Sequence, residues 1–143
     1  MRYWDSSALV PLCVQEAASA RLVQAYRSDP VIVTWWGSEI ECVSAFSRLE
    51  RESLIASISM ARGLERLRKL RRDWHEVQPV KAVRDAAIRL VRVHPLRAAD
   101  ALQLSSAVVA SNHDPAAFEF VSLDARLAAA AQREGFNVIS FQG

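Results

Sequence analysis

Residues 1–10 read Met-Arg-Tyr-Trp-Asp-Ser-Ser-Ala-Leu-Val, a short aromatic strand that leads directly into an acid, two hydroxyls and an apolar helical turn. The carboxyl end of a strand is where open α/β sheets place their ligands. Asp5 is equally well explained as an N-cap, because aspartate accepts hydrogen bonds from the free N–H groups of a helix start. The stretch therefore predicts a strand followed by a helix, and it leaves two roles open for Asp5.

The composition is that of an ordinary globular protein, with 143 residues, 51% hydrophobic and 24% charged residues, and a formal net charge of +2. This length fits one domain over residues 1–143 with a full core. No apolar run approaches the ~20 residues of a membrane span, and no secretory signal pattern opens the chain. We expect a cytoplasmic protein without a membrane partner, in which Cys13 and Cys42 are buried thiols.

Strand-like segments alternate with helical patterns along the chain. The expected strands cover residues 3–4, 31–34, 76–80, 118–122 and 137–140. Helical periodicity covers residues 16–27, 37–52, a second long segment after residue 53, and the segments that begin near residues 81, 98 and 125. Strands separated by helices pair in parallel through right-handed crossovers. The pattern predicts an α/β fold, a three-layer α/β/α sandwich with a central, mainly parallel sheet.

Acidic residues are the candidates for a site at one edge of this sheet. Because all carboxyl ends of a parallel sheet face the same edge, Asp5 and Asp124 should emerge together, each just before a helix. Asp100 lies in the opening turn of its own helix. Each of them can be explained as a cap, but three caps at one edge repel one another unless a cation neutralises them. Carboxylates without nearby His or Cys suit Mg²⁺ or Mn²⁺.

The fourth acid is ambiguous. Glu39 and Glu41 both lie early in the long helix, on opposite shoulders of its apolar stripe. Glu41 shares its side with Ser44 and Ala45, whose small side chains leave room for a site, and the periodicity favours Glu41 only slightly.

Basic residues and histidines do not distinguish an enzyme from a binding protein. Between Arg62 and Arg72 one helix carries six basic residues against the single acid Glu65, a pattern as typical of a solvated face as of an RNA-facing patch. The histidines adjoin helix ends or turns and are expected at the surface or as caps: His75, His94 and His113.

Four segments in this order resemble the PIN-domain ribonucleases, and among them the VapC-type toxins of bacterial toxin–antitoxin pairs. They are YWDSSAL (3–9), WWGSEIECVSAFSRL (35–49), LRAADALQL (96–104) and FVSLDARLAAAAQREGF (120–136). The resemblance covers essentially the whole chain, and it rests on the order of the motifs rather than on any single one.

The resemblance implies catalytic and metal-binding roles for four acids: Asp5, Glu41, Asp100 and Asp124. It selects Glu41 over Glu39 because the family pattern places Ala four and Arg seven residues after the glutamate, as here. Ser6 occupies a position where the family often has Thr or Ser near the metal, and Ser122 is a weaker accessory candidate.

The implied activity is that of a metal-dependent endoribonuclease, in which water activated by Mg²⁺, or by Mn²⁺ in its place, hydrolyses an RNA phosphodiester. Arg48 and Arg97 would either contact phosphate oxygens or pair with a neighbouring acid. The implied partners are RNA, a second copy of the chain in a homodimer, and a cognate antitoxin whose tail crosses the acidic groove.

Two other interpretations stay open at the level of sequence. A receiver-like doubly wound domain needs an acidic pair after its first strand and a later Lys, whereas this chain has one acid there and only Lys69 and Lys81. A non-catalytic module could use the same acidic groove only to bind a partner protein.

Overall fold

The computed structural model describes residues 1–139 and 141, and it contains a five-stranded sheet. The strands are β1 (Arg2–Trp4), β2 (Ile32–Trp35), β3 (His75–Val77), β4 (Glu119–Val121) and β5 (Asn137–Ile139). All neighbouring strands pair in parallel, in the spatial order β3-β2-β1-β4-β5. Strand β1 is therefore the centre of the sheet, with its carboxyl end at Asp5.

Helices connect the strands. They are α1 (Ser6–Cys13), α2 (Ser19–Ser28), α3 (Ser38–Arg51), α4 (Ser57–Asp73), α5 (Lys81–Val93), α6 (Ala98–Ala110) and α7 (Ala125–Arg133), with a 3₁₀ turn at Pro115–Ala117. Among the helices of the described residues, none has both the length and the apolar character that crossing a bilayer requires.

Alternating side chains of the central strand divide the core between the two faces of the sheet. Tyr3 packs with buried residues of α5, α6 and α7 on one face. Trp4, the next residue, packs on the other face with buried residues of α1, α2, α3 and α4. Successive side chains of a strand point to opposite faces, so a strand buried on both faces is apolar throughout. The predicted three-layer α/β/α sandwich is confirmed.

Most predicted elements are present with shifted ends. Pro79 predicted that the third strand lies at the sheet edge or ends at the proline; β3 is an edge strand, and it ends at Val77, before Pro79. The last strand was predicted through Ser140, which lies outside the described residues. Cys13 and Cys42 are free and buried, as expected.

Of the two positions predicted for His94, a surface site or a helix cap, the cap is confirmed and the surface site is not. Its backbone N–H caps α5 by donating to the Leu90 carbonyl, at 2.9 Å, but its ring is buried. The ring Nε2 lies 2.7 Å from Oε2 of Glu134. The other carboxylate oxygen of Glu134, Oε1, accepts a hydrogen bond from Arg89 at 2.8 Å. A polar side chain is tolerated in the interior when a partner of this kind satisfies it.

An acidic cavity at the carboxyl edge of the sheet

A cavity of about 850 Å³ opens at the carboxyl edge of the sheet. The starts of α1, α6 and α7 and one side of α3 line it, and three of the four predicted acids are among the lining residues: Glu41, Asp100 and Asp124. The fourth, Asp5, is only 3% exposed, and its neighbours Ser6 and Ser7 line the cavity. The topology thus brings together acids that are far apart in sequence.

Asp5 is a buried carboxyl group held by its own helix start. Its Oδ1 accepts from the Ala8 N–H at 3.3 Å and from the Ser7 hydroxyl at 2.7 Å. Burial raises the pKa of Asp5 to about 7, the hydrogen bonds from Ser7, Ala8 and Ser122 oppose that rise, and the charge of Asp124 adds to it. Asp5 is consequently both an N-cap and an acid that exchanges a proton near neutral pH.

Asp124 repeats the same arrangement at the end of β4. Its Oδ1 accepts from the Leu127 N–H at 3.0 Å, which makes it the N-cap of α7. Its own N–H donates to the Ser122 hydroxyl oxygen at 3.0 Å. The capping interpretations from the sequence are therefore correct for Asp5 and Asp124; Asp124 also lines the cavity, and Asp5 lies buried beside it.

Ser7 connects these two acids. Its hydroxyl donates to Asp5 and accepts from the Leu123 N–H at 2.9 Å, and its oxygen lies 3.4 Å from that of Ser122. We call Asp5, Ser7, Ser122 and Asp124 the hydroxyl cluster. The sequence indicated Ser6 and Ser122 but missed Ser7, although its position two residues after an aspartate favours a local side-chain hydrogen bond.

Glu41 belongs to a second arrangement. Gln103 donates from Nε2 to Oε2 of Glu41 at 2.5 Å and to the Ser38 hydroxyl at 3.0 Å, while its Oε1 accepts from the Tyr3 hydroxyl at 2.7 Å. We call Tyr3, Ser38, Glu41 and Gln103 the amide cluster. The sequence missed Gln103, although its place three residues after Asp100 puts the two on one side of α6.

Burial, and after it the charge of a neighbouring acid, raises the pKa values of Glu41 and Asp100. Burial raises the pKa of Glu41, the hydrogen bond from Gln103 counteracts part of that rise, and the charge of Asp100 adds to it. Burial raises the pKa of Asp100 as well, with a further rise from Asp124 and a partial offset from the backbone and charge of Arg97 and from the charge of Arg126. The acids therefore repel one another across the cavity, as acids that share a site do.

Glu39 lies elsewhere. Its Oε2 is 2.9 Å from the Nε of Arg71, and both side chains are largely exposed. Glu39 is not among the residues that line the acidic cavity, whereas Glu41 is. The geometry thus favours Glu41 as the fourth acid.

Three arginines surround the acids: Arg48, Arg97 and Arg126. Within the described residues, none of them lies within 4.0 Å of a carboxylate oxygen in an ion pair. Arg48 and Arg97 had been predicted, and Arg126, two residues after Asp124, had not. Guanidinium groups beside an anionic cavity can contact phosphate in a bidentate manner.

The basic run of α4 does not take part in this cavity. Arg62 and five further basic residues up to Arg72 are exposed. Arg66 donates to the Cys13 carbonyl, Arg68 pairs with Glu65 and Arg71 pairs with Glu39. This run has the character of a solvated helix face.

The donor set suits a hard divalent cation, because all candidate ligands are carboxylates at mutually repulsive positions. Among the described residues, however, no three acidic, histidine or cysteine side chains are close enough together to form a ready metal site. The chemistry of the residues fits such an ion, and the ligand set is not preassembled around it.

Comparisons with known proteins support the fold and no more specific property of the chain. No protein-family model and no curated protein matches the chain. A toxin-antitoxin complex from Klebsiella pneumoniae matches 98% of this chain and 97% of its own at 14% identity, with a TM-score of 0.66. PAE2754 from Pyrobaculum aerophilum matches over 91% and 84%, respectively, at 18% identity, with a TM-score of 0.62. At such identities the likeness shows a common fold.

Proposed function

We propose that the chain is a metal-dependent endoribonuclease toxin of the PIN-domain, VapC type, restrained by a cognate antitoxin. One observation carries the proposal. Glu41, Asp100 and Asp124 line one cavity next to the buried Asp5; the charge of Asp100 adds to the raised pKa of Glu41, and the charge of Asp124 adds to the raised pKa values of Asp100 and Asp5. A cluster of this kind is a functional-site candidate rather than a set of independent caps.

The roles follow from position and chemistry. Asp5, Glu41, Asp100 and Asp124 would hold Mg²⁺, or Mn²⁺ in its place, through their carboxylate oxygens. When bound, such an ion supplies a water of lowered pKa and neutralises charge on the phosphodiester. Among its described lining the cavity has no Lys, His or Cys side chain, so the carboxylates are its candidate metal ligands.

The arginines would place the RNA. Arg48, Arg97 and Arg126 lie around the acids, where phosphate oxygens of a strand that crosses the cavity would pass. Ser6 lines the same cavity and is a candidate for a further contact near the reacting phosphate.

The antitoxin is supported by fold similarity to a chain from a toxin-antitoxin complex. An acidic cavity would accept a basic side chain of such a partner, since an Arg pairs with carboxylates in a bidentate manner. A homodimer is proposed on the resemblance in sequence, and size measurements in solution would test it.

The test is RNA digestion by the purified chain. We expect cleavage that requires Mg²⁺ or Mn²⁺, stops with EDTA, and disappears in the Asp5→Asn and Asp100→Asn variants with the fold intact. Asp85→Asn is the matched control, because Asp85 is exposed on α5 and pairs only with Lys81 in the described residues. Cleavage undiminished in both site variants would remove these acids from the catalytic set.

The same experiment tests the non-catalytic alternative. Thermal stabilisation by Mn²⁺ without any RNA cleavage would favour a module that uses the acidic cavity to bind a partner protein.

A further inference from the structure

We propose that Gln103 is a positioning residue that fixes the orientation of the Glu41 carboxylate toward the acidic cavity. The proposal rests on the proposed function for its consequence in catalysis, and on the amide cluster for its geometry. Gln103 is 1% exposed and lies on α6, whereas Glu41 lies on α3. A buried amide that links two helices of the site is in a place to set their side chains relative to one another.

The orientation of the Gln103 amide is determined by its partners. A carboxylate can only accept hydrogen bonds, so the NH₂ group and not the carbonyl must face Glu41. The carbonyl oxygen then faces the Tyr3 hydroxyl, which donates to it. A tyrosine hydroxyl carries one proton to donate, and in the described contacts that proton goes to Gln103. A flipped amide would place two acceptors against each other at Glu41.

The second N–H of Gln103 is fixed by a chain of hydroxyls. Thr34 donates its only hydroxyl proton to the Trp4 carbonyl at 2.7 Å, so it accepts from Ser38, 2.7 Å away. Ser38 in turn accepts from Gln103 at 3.0 Å. Each donor in this chain has one acceptor, and the chain ends on the residue that precedes Asp5.

The two carboxylate oxygens of Glu41 therefore have different roles. In the described contacts Oε2 accepts from Gln103, and this leaves Oε1 for the cavity that Glu41 lines. Without that hydrogen bond the carboxylate is free to rotate about its last torsion, which is a broad two-fold torsion. Polar partners behind a ligand typically change metal affinity or activity by about 10- to 100-fold.

The first experiment compares kinetics and Mn²⁺ binding in three variants. Gln103→Met keeps the length of the side chain and removes both donors, and we expect kcat for RNA cleavage and Mn²⁺ affinity to fall by about 10- to 100-fold. The KM for RNA should stay within about two-fold, because a side chain that is 1% exposed cannot contact RNA. Tyr3→Phe, which frees only the amide carbonyl, should give a smaller loss in the same direction.

Ser105→Ala is the matched control. Ser105 is fully buried on the same helix, and its hydroxyl bonds only to the Leu102 carbonyl among the described contacts. We expect wild-type kcat and Mn²⁺ affinity. A loss in Ser105→Ala as large as that in Gln103→Met would overturn the proposal, because it would reflect general damage to α6. Unchanged kcat and affinity in Gln103→Met would overturn it as well.

A second measurement needs no activity and therefore separates this proposal from the proposed function. In ¹³C,¹⁵N-labelled protein, the side-chain NH₂ signals of Gln103, assigned through their bonds to the Gln103 backbone, should shift in Glu41→Ala and stay unchanged in Glu39→Ala. NH₂ signals that stay unchanged in Glu41→Ala would overturn the positioning role, even if the wild type cleaves RNA. If the wild type neither cleaves RNA nor binds Mn²⁺, the proposed function fails and these signals alone decide the role of Gln103. The same measurement decides if Gln103→Met does not fold, because the Glu41 and Glu39 variants keep the amide.

Discussion

The hydroxyl cluster and the amide cluster hold their acids in different ways. In the hydroxyl cluster each acid is bound mainly by neighbours in the chain, since Asp5 accepts from Ser7 and Ala8, and Asp124 accepts from Leu127. In the amide cluster Glu41 is bound by Gln103, which is 62 residues away. The first arrangement is local and doubles as helix capping, whereas the second exists only after α3 and α6 have packed around β1.

The two clusters also differ in how strongly their surroundings disfavour the ionisation of the acids. The caps satisfy the helix starts at the carboxyl edge, but they leave Asp5 so buried that its ionisation is disfavoured. The amide cluster supplies a donor to a carboxylate that is partly exposed. Ionising an acid of the hydroxyl cluster should therefore cost more free energy than ionising Glu41 in the amide cluster.

The largest effect on stability is expected for Asp5→Asn. Its absence would contradict the difference between the two clusters. The folded protein keeps a proton on Asp5 up to about pH 7, whereas the unfolded chain loses it near 3.8. The contribution of Asp5 to the free energy of unfolding therefore falls as the pH rises from about 4 to 7, by about 4 kcal/mol. Asn cannot ionise, so the variant should gain that amount over the wild type at pH 8 and nothing at pH 4.

The measurement is urea denaturation in EDTA at both pH values. Asp85→Asn, at the exposed end of an ion pair with Lys81, should show no comparable gain at pH 8. A stability difference between Asp5→Asn and the wild type that is the same at pH 4 and pH 8 would mean that Asp5 is not a high-energy carboxylate.

Ser7→Ala should have an intermediate effect and would sharpen the description of the hydroxyl cluster. The variant removes the donor to Asp5 and leaves the Leu123 N–H without its acceptor. The free energy of unfolding should drop by about 1–3 kcal/mol, and the pKa of Asp5, followed by NMR of its carboxyl carbon, should rise further. Ser44→Ala changes an exposed serine of the same cavity and should be neutral. A neutral Ser7→Ala would show that the two acids are held independently.

The smallest effect on stability is expected at Asp124, where two variants distinguish helix capping from a role in RNA cleavage. Asp124→Asn keeps an oxygen for the Leu127 N–H, whereas Asp124→Ala removes it, so only the alanine variant should lose about 1 kcal/mol of stability. Both variants should lose metal-dependent RNA cleavage to the same degree if the carboxylate is a ligand. Cleavage that survives in Asp124→Asn would leave capping as the function of this residue.

The contrast also explains what could be predicted from the sequence. Strands buried on both faces and helices with one apolar side leave periodic patterns, and these gave the layers and the parallel sheet. Asp5 directly follows β1 and Asp124 lies three residues after β4, so the topology alone predicts their common edge. Local signals of this kind survive in a single sequence because they depend on spacing along the chain.

Contacts between distant elements leave no such pattern. Gln103 occupies a position typical of a buried apolar residue, and only its partners Tyr3 and Glu41 give it a role. His94 follows an amphipathic helix like any surface residue, and its burial depends on Glu134 at the end of α7. Gly63 looks like a weak point in a long helix, yet a Cβ there would lie 2.7 Å from the Val14 side chain, so close packing of α4 on α1 requires a small residue.

The central position of β1 has a consequence for how this molecule would lose its activity. Strand β1 is hydrogen-bonded on both sides, to β2 and to β4, and the Asp5 N–H continues the ladder by donating to the Val121 carbonyl at 3.2 Å. Amides in such a strand exchange with solvent only when the whole structure opens, whereas edge strands fray earlier. Heat or denaturant should thus erase catalysis and tertiary structure at a single midpoint, with no folded but inactive species in between.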